Sequence, residues 1–209
     1  MRFFNEFVET IKTRNNLPHW QQDGATFFVT YRLNDSIPRE QMDKWFSEKE
    51  KWLLANPKPW DEETEAEYHG RFSVEVDRMM DAGQGSYVLR DRQHADVVKQ
   101  EFGNHDGERY MLHSWVVMPN HVHILFSLDV GNRLEKVVGG WKRTSSRRIN
   151  QATGQQGALW QKDYFDRMIR DWDHLFRVAR YIRRNPVKGG LGEGEFLLYE
   201  AEWVRKMLG

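Results

Sequence analysis

WVVMPNHVHILF, residues 115–126, is an apolar run that carries two histidines one residue apart. Because side chains alternate between the two faces of a β-strand, His121 and His123 point the same way if this segment is extended. Two imidazoles on one buried face bring polar nitrogens that need partners, and together they can chelate a metal ion. A single histidine here would indicate a hydrogen-bonded core residue. The pair favours a metal site without excluding that simpler role.

The charged residues are distributed unevenly along the 209-residue chain, whose formal net charge is +0. Residues 40–82 carry 12 acidic and 6 basic side chains, whereas residues 133–150 carry 6 basic and 1 acidic, and residues 162–190 carry 8 basic and 4 acidic. A chain polarised in this way can bind nucleic acid through one face while remaining neutral overall. The acidic segment is most simply a solvated surface.

The composition excludes several classes of protein. The chain has no cysteine, so it has neither disulfide bonds nor thiolate metal sites, which fits a reducing cytosol. No apolar stretch is long enough to cross a bilayer, and the first residues lack the basic-then-apolar layout of a secretory signal. We therefore expect a cytoplasmic protein with no membrane partner.

Strand and helix patterns are interleaved along the chain. Strands are predicted at residues 25–33, 87–89, 109–118 and 121–128, and helices at residues 91–103, 133–150 and 171–185. This order, with one adjacent strand pair, favours an α+β, ferredoxin-like sandwich with an antiparallel sheet and helices on one face. We expect a single domain over residues 1–209, with an acidic helical insertion at about 38–82 and a C-terminal tail at about 192–209.

The last clear helix, residues 171–185, carries Tyr181 and Asn185 one turn apart, so their side chains share a face. Pro186 should end this helix, because proline lacks the amide hydrogen and disfavours a helical residue before it. A tyrosine near a helix end is usually a packing residue with its hydroxyl at the surface. From this helix alone, catalysis is the minority interpretation.

A set of motifs in a fixed order resembles the REP-associated tyrosine transposases, which belong to the HUH single-tyrosine transposase superfamily. The motifs are the strand at 25–33, the segment 115–123 with its HxH pair, Trp160-Gln161, Asp166, Ile169-Arg170, and the run 181–188. The resemblance covers roughly residues 18–192. The chain departs from the family pattern at Gly189, in its longer acidic insertion, and in a C-terminal tail without the usual tryptophan-serine segment.

The resemblance implies a fold, a site and a reaction. The fold is ferredoxin-like, and the substrate is single-stranded or hairpin DNA. His121, His123 and Asn185 are the implied ligands of a divalent metal, magnesium or manganese, and Tyr181 is the implied nucleophile. A phenol with a pKa near ~10 is mostly protonated at neutral pH, so it needs help to attack a phosphodiester. The product would be a 5′-phosphotyrosine link that a 3′-hydroxyl can reverse.

Basic side chains on, or just after, the last two long predicted helices are the expected DNA contacts, and they would make binding depend on salt. They are Lys142, Arg143, Arg147, Arg148, Arg177, Arg180, Arg183, Arg184 and Lys188. We expect several of the arginines to pair instead with nearby carboxylates. The candidate carboxylates are Asp163, Asp166, Asp171 and Asp173.

Two other functions remain open from the sequence. The chain could be a non-catalytic protein that binds hairpin DNA, derived from a transposase, or a metal-dependent phosphoesterase that uses water as nucleophile. Tyr164 is the rival nucleophile, but it has no ligand residue four positions later. The resemblance favours a monomer over a dimer, and a DNA substrate implies association with the nucleoid.

Overall fold

The computed structural model describes residues 1–14, 18–57, 60–82 and 85–209. The chain divides into two compact units. The main unit comprises Met1–Asn34 and Val88–Gly209, and the inserted unit comprises Asp35–Tyr87. The helical segment predicted at about 38–82 lies within the inserted unit.

The described residues form the following regular elements. The strands are β1 (Ile11–Arg14), β2 (Pro18–Gln21), β3 (Thr26–Arg32), β4 (Tyr110–Val117), β5 (His121–Leu128), β6 (Phe165–Met168) and β7 (Leu197–Glu200). The helices are α1 (Arg39–Ala55), α2 (Glu62–Tyr68), α3 (Val74–Asp81), α4 (Arg92–Gly103), α5 (Leu134–Thr153), α6 (Trp172–Lys188) and α7 (Glu202–Leu208). None of the helices within the described ranges combines the length and apolarity that a bilayer crossing requires.

The main unit is built on a five-stranded antiparallel sheet with the strand order β6-β3-β5-β4-β7. The first four strands in this order, with the two helices between them, follow one another along the chain as β3, α4, β4, β5, α5 and β6. This is the β-α-β-β-α-β order of a ferredoxin-like fold. The predicted α+β class with an antiparallel sheet is confirmed. β1 and β2 pair antiparallel with each other in a separate two-stranded sheet.

Helices cover both faces of this sheet. Ile124 and Phe126 of β5 belong to the same buried cluster as apolar residues of α4 and α5. Leu125 points the other way and packs in a second cluster with Val178 and Ile182 of α6. The prediction of helices on one face therefore holds for α4 and α5 and is wrong for α6 and α7. Every residue of β5 is buried, so each face of the strand requires a cover.

Short elements and one helix end differ from the sequence predictions. The strand predicted at 87–89 is wrong, because Val88–Arg90 forms a 3-10 turn. Pro186 lies inside α6, which continues to Lys188 and ends at Gly189. β6 and β7 have four residues each, too few to show a period. The C-terminal tail therefore holds a strand, β7, that pairs with β4.

The inserted unit has an aromatic core of its own. Trp45, Trp52 and Phe72 are buried, and the Trp45 indole donates to the Phe72 carbonyl at 3.2 Å. The Lys49 ammonium lies 4.7 Å from the Trp45 ring centre and 5.5 Å from that of Tyr68, a cation–π arrangement that stabilises a nearly buried charge. The unit carries 13 acidic and 7 basic residues, so its surface is strongly acidic.

In the main unit, a buried ionic cluster connects β2 to β6. His19 Nε2 lies 2.8 Å from Asp163 Oδ1, and His19 Nδ1 is hydrogen-bonded to Asp166. The ring stacks on Tyr164 with 4.2 Å between centres. Burial alone lowers the pKa of His19, but the bonds to Asp163 and Asp166 outweigh it and raise the pKa to about 9. His19 is therefore charged at neutral pH and holds two carboxylates.

The His19 cluster should make stability depend on pH. The folded-state pKa exceeds the ordinary value of 6.5, so the stabilisation is complete below about pH 6.5 and is lost as pH rises through about 9. It amounts to about 3 kcal/mol. Urea unfolding of wild type and His19→Gln should therefore differ more at pH 6 than at pH 10. An equal difference at both pH values would contradict the assignment. Lys142, whose pKa burial lowers to about 8, titrates in both proteins.

Candidate active site

The two histidines of β5 lie on one face of the sheet, as the spacing predicts. His121 is 1% exposed and His123 is fully buried. Their ring centres are 4.7 Å apart and the planes are nearly perpendicular. His123 is in register with Thr30 of β3, the neighbouring strand. Register across the sheet thus determines which side chains surround the pair.

α6 brings Tyr181 and Asn185 to the same place. The Asp171 carboxylate accepts the His174 backbone N–H at 2.6 Å and begins the helix, and a buried apolar stripe holds it to the sheet. The Tyr181 hydroxyl lies 3.3 Å from His123 Nε2. Asn185 is buried, and its side chain is close enough to act on the pKa of His121. The structure therefore brings together all four residues that the sequence nominated.

In each imidazole the Nδ1 atom contacts the oxygen of a neighbouring side chain. The Nδ1 of His121 is 2.7 Å from Asn120 Oδ1, and the Nδ1 of His123 is 2.7 Å from Thr30 Oγ1. Among the described residues, His121 Nε2 and Asn185 Oδ1 have no hydrogen-bond partner although both atoms are buried. A buried polar atom without a partner costs roughly 1–3 kcal/mol. These atoms are therefore places where a ligand would be stabilising.

Both imidazoles are neutral near pH 7. Burial lowers the pKa of His121 to about 4, against a smaller raising effect of Asn185 and with a further lowering by Lys188. Burial, followed by His121 and Lys188, lowers the pKa of His123 well below its ordinary value. A histidine binds metal only in its neutral form. The lowered pKa values therefore leave each ring with an unprotonated nitrogen that can bind a cation.

The donor set fits a divalent metal. It consists of two imidazole nitrogens and one amide oxygen, a mixture that manganese accepts well and that magnesium meets partly with water. In the part of the chain that the structure describes, no group of three His, Cys, Asp or Glu side chains could hold a metal ion. The third protein ligand would therefore be the amide oxygen of Asn185. The two buried atoms without a partner, His121 Nε2 and Asn185 Oδ1, support the fit of these residues to a metal ion.

The sequence analysis missed one wall of this site. The Phe28 ring stacks on His123 with 5.6 Å between centres and meets Tyr181 edge-on at 5.9 Å. Phe28 and Thr30 are two apart on β3, so they share the face of the histidines. Their strand was predicted, but its pairing with β5 was not. Asn120, next to His121 in the sequence, was the one neighbour that could have been noticed.

Comparisons with known proteins identify relatives. Residues 88–185 match the model of the family described as Transposase IS200 like. The chain is 28% identical over 81 residues to the REP-associated tyrosine transposase of Escherichia coli (strain K12), an alignment that covers 39% of this chain and 47% of that one. The resemblance to the REP-associated tyrosine transposases is confirmed. The chain thus spans about half the length of this curated relative.

A solved structure supports the same fold. It is the structure of the REP-associated tyrosine transposase bound to a REP hairpin, with a TM-score of 0.51 and 18% identity. The likeness covers 84% of this chain and 74% of that one. The segment that matches the IS200-like family model begins after the inserted unit and includes His121, His123, Tyr181 and Asn185.

The basic residues expected to contact DNA lie on two sides of the sheet. Arg143 and Arg147 are exposed on α5, which covers one face. Arg177, Arg180 and Arg184 are exposed on α6, which covers the other. Lys188, also exposed, follows Arg184 by one turn. Arg177, Tyr181, Arg184 and Lys188 follow helical spacing, so these cations flank the tyrosine on its own face.

Lys142, Arg148 and Arg183, which were expected to contact DNA, make close contacts within the protein. Lys142 donates to the carbonyls of Lys162 and Asp163 at 2.9 and 3.2 Å. Arg148 pairs with Glu101 at 3.0 Å, and Arg183 pairs with Glu200 at 2.8 Å. These partners come from elements distant in sequence.

Arg148 and Arg183 pair with carboxylates other than the predicted ones. Asp163 and Asp166 bind His19, and Asp171 is the N-cap of α6. Glu101 and Glu200, the partners observed, lie on α4 and β7. For these two arginines proximity along the chain was a poor guide, because their long side chains reach carboxylates on other elements.

Tyr164, the rival nucleophile, lies in the cluster covered by α5 and not beside the histidine pair. It is buried and stacks on His19. Burial raises the pKa of its hydroxyl, which makes the phenol harder to activate. Tyr181 is therefore the better placed of the two tyrosines.

Proposed function

We propose that this chain cleaves and rejoins DNA that is single-stranded or folded into a hairpin, with Tyr181 as nucleophile. The observation that carries the proposal is the 3.3 Å contact between the Tyr181 hydroxyl and His123 Nε2, beside the unpartnered His121 Nε2 and Asn185 Oδ1. The relative whose structure holds a REP hairpin supports the choice of DNA.

The reaction conserves the phosphodiester. The Tyr181 oxygen loses its proton and forms a bond to phosphorus as the bond to the 3′-oxygen breaks. The 3′-oxygen gains one proton and leaves as a hydroxyl, so the numbers of bonds and protons are unchanged. The 5′ side of the break remains joined to the tyrosine. A 3′-hydroxyl from another strand can then attack the same phosphorus and release Tyr181. Because the phosphoester is transferred to Tyr181 and is not hydrolysed, the enzyme can join strands as well as cut them.

The surrounding residues prepare Tyr181 for attack. The contact with His123 Nε2 positions the Tyr181 hydroxyl beside the histidine pair, and the Phe28 ring edge restricts the tilt of the tyrosine ring. A magnesium or manganese ion held by His121, His123 and Asn185 would supply a Lewis acid for an oxygen of the scissile phosphate. Arg177, Arg184 and Lys188 would bind the flanking phosphates.

The proposed working form is a monomer. Tyr181 reaches His123 within one chain, so no exchange of α6 between subunits is needed to complete the site. A DNA substrate would place the protein at the nucleoid, in the cytoplasm.

An end-labelling experiment tests the proposal. DNA from the repeats flanking the gene is labelled at its 3′ or 5′ end and incubated with protein and Mn²⁺. We expect the 3′ label to migrate with the protein on a denaturing gel, and the 5′ label to appear on a released fragment. Cleavage with neither label on the protein would favour the water-dependent phosphoesterase, and binding without cleavage would favour the hairpin-binding protein.

The cations flanking Tyr181 should contribute to affinity. Arg177→Ala combined with Arg184→Ala should weaken DNA binding on the order of tenfold and reduce the salt slope by about 1 to 1.5, since each single-strand phosphate contact contributes about 0.7. Fluorescence anisotropy at several salt concentrations measures both quantities. Arg148→Ala is the matched control, because its guanidinium already contacts Glu101 and Gln100. Equal effects of the two proteins would refute the assignment.

A further inference from the structure

We infer that Asn120 and Thr30 are positioning residues that hold the ring protons of His121 and His123 on Nδ1, so that both Nε2 lone pairs face Tyr181 and Asn185. The role assigned to this arrangement rests on the proposed function. The arrangement itself rests on the two 2.7 Å contacts to the Nδ1 atoms.

The case for His121 follows from the chemistry of its partner. The Asn120 atom that faces Nδ1 is the amide oxygen, which only accepts hydrogen bonds. A neutral imidazole has one ring proton, so that proton must be on Nδ1 for the contact to be a hydrogen bond. Nε2 then carries a lone pair, and it is the buried atom without a partner among the described residues. In water the Nε2–H form of neutral histidine predominates, so the protein must stabilise the Nδ1–H form.

Asn120 is held rigidly enough to impose it. It is 2% exposed and lies in the turn between β4 and β5. Its carbonyl accepts the Leu33 N–H at 2.8 Å, and Met118 N–H donates to the His121 carbonyl at 2.8 Å, so the backbone is fixed on both sides. An amide on such a backbone can select a tautomer without moving.

Thr30 completes the arrangement on β3. Its hydroxyl contacts His123 Nδ1, and on the opposite side of the ring His123 Nε2 faces the Tyr181 hydroxyl. If Thr30 accepts the Nδ1 proton, Nε2 can accept a hydrogen from Tyr181. If Thr30 donated, Nε2 would carry a proton. It could then neither bind a cation nor accept a hydrogen from the Tyr181 hydroxyl. The first arrangement alone is compatible with His121 and His123 acting together.

The test reads the tautomers directly in metal-free protein. Two-bond ¹⁵N–¹H NMR spectra should show His121 and His123 protonated on Nδ1 in the wild type. Asn120→Leu should move His121 toward the Nε2–H form, whereas Asn120→Asp retains an acceptor oxygen and should retain the wild-type pattern. Thr30→Val and Thr30→Ser form the equivalent pair for His123. An Nε2–H signal for both histidines in the wild type would overturn the inference.

Metal affinity provides a second readout that needs no DNA. Mn²⁺ titration should show a 10–100-fold loss for Asn120→Leu and near-complete recovery for Asn120→Asp, the range typical for loss of a residue that orients a metal ligand. His113 is a buried control, since it bonds to Ser127 and lies outside the site. Its unchanged NMR signals would establish that the variants are folded. Equal Mn²⁺ affinity in both variants, with His113 unchanged, would also overturn the inference.

The two proposals can fail separately. If no covalent DNA adduct forms but the tautomers and Mn²⁺ affinities behave as expected, the positioning role stands and the cleavage proposal fails. If the adduct forms and wild-type His121 carries its proton on Nε2, the positioning role fails and the cleavage proposal stands.

Discussion

Tyr181→Phe should remove the covalent DNA adduct completely and lower cleavage on the order of 10³-fold or more, because a phenyl ring has no oxygen to attack phosphorus. DNA affinity should change little, since phosphate contacts come from other residues. The substitution is conservative for the fold: the ring keeps its contacts with Phe28 and His123, and the change removes the 3.3 Å contact of the hydroxyl with His123. The labelled-DNA gel measures the adduct.

Tyr164→Phe is the matched control for this experiment. It removes the hydroxyl of the rival tyrosine, which is buried against His19 and has no hydrogen-bond partner among the described residues. Cleavage and adduct should be unchanged. Full cleavage by Tyr181→Phe would exclude Tyr181 as the nucleophile, and full cleavage by Tyr164→Phe as well would leave water. Loss of the adduct in Tyr164→Phe would instead assign the nucleophile to Tyr164, on the α5 side of the sheet.

The second large effect is expected from the histidine pair. His121→Ala combined with His123→Ala removes two of the three proposed ligands, so Mn²⁺ binding should fall below detection and cleavage should fall on the order of 10³-fold or more. DNA binding should largely persist. A chelator should stop cleavage by the wild type, and added Mn²⁺ should restore it. The same addition should restore nothing in the double variant.

A surface histidine provides the control for the double variant. His105→Ala removes an imidazole that pairs with Glu108 on the surface, so metal binding and cleavage should match the wild type. Thermal unfolding of the double variant checks that the cavities left by two buried rings have not unfolded it. Unchanged cleavage by a folded double variant would rule out a role for the metal.

Much of the site was accessible from local spacing. The strand period of 2 placed His121 and His123 on one face, and the helix period placed Tyr181 and Asn185 one turn apart. Both relations depend only on residues within one element, and the structure contains both. The four-residue strands β6 and β7 escaped detection because a strand of that length has no measurable period. The prediction that Pro186 ends the helix was wrong because a proline in the last turn of a helix removes only one hydrogen bond.

Contacts between distant residues were not accessible in the same way. Arg148 and Arg183 have partners on α4 and β7, and Thr30 reaches His123 through the register of β3 with β5. A one-residue shift in that register would turn Thr30 to the other face. Pattern analysis of one strand contains no information on its register with another.

The chain's own periodicities were thus enough to specify the class of fold, the shared face of the two imidazoles and the shared face of the phenol and the amide. The folded chain alone brought these two faces together, assigned α6 to the side opposite α5, and separated the cations beside Tyr181 from those on the far face. The physical reason is that side-chain direction within an element follows from backbone geometry, whereas the approach of two elements follows from burying both faces of β5 at once.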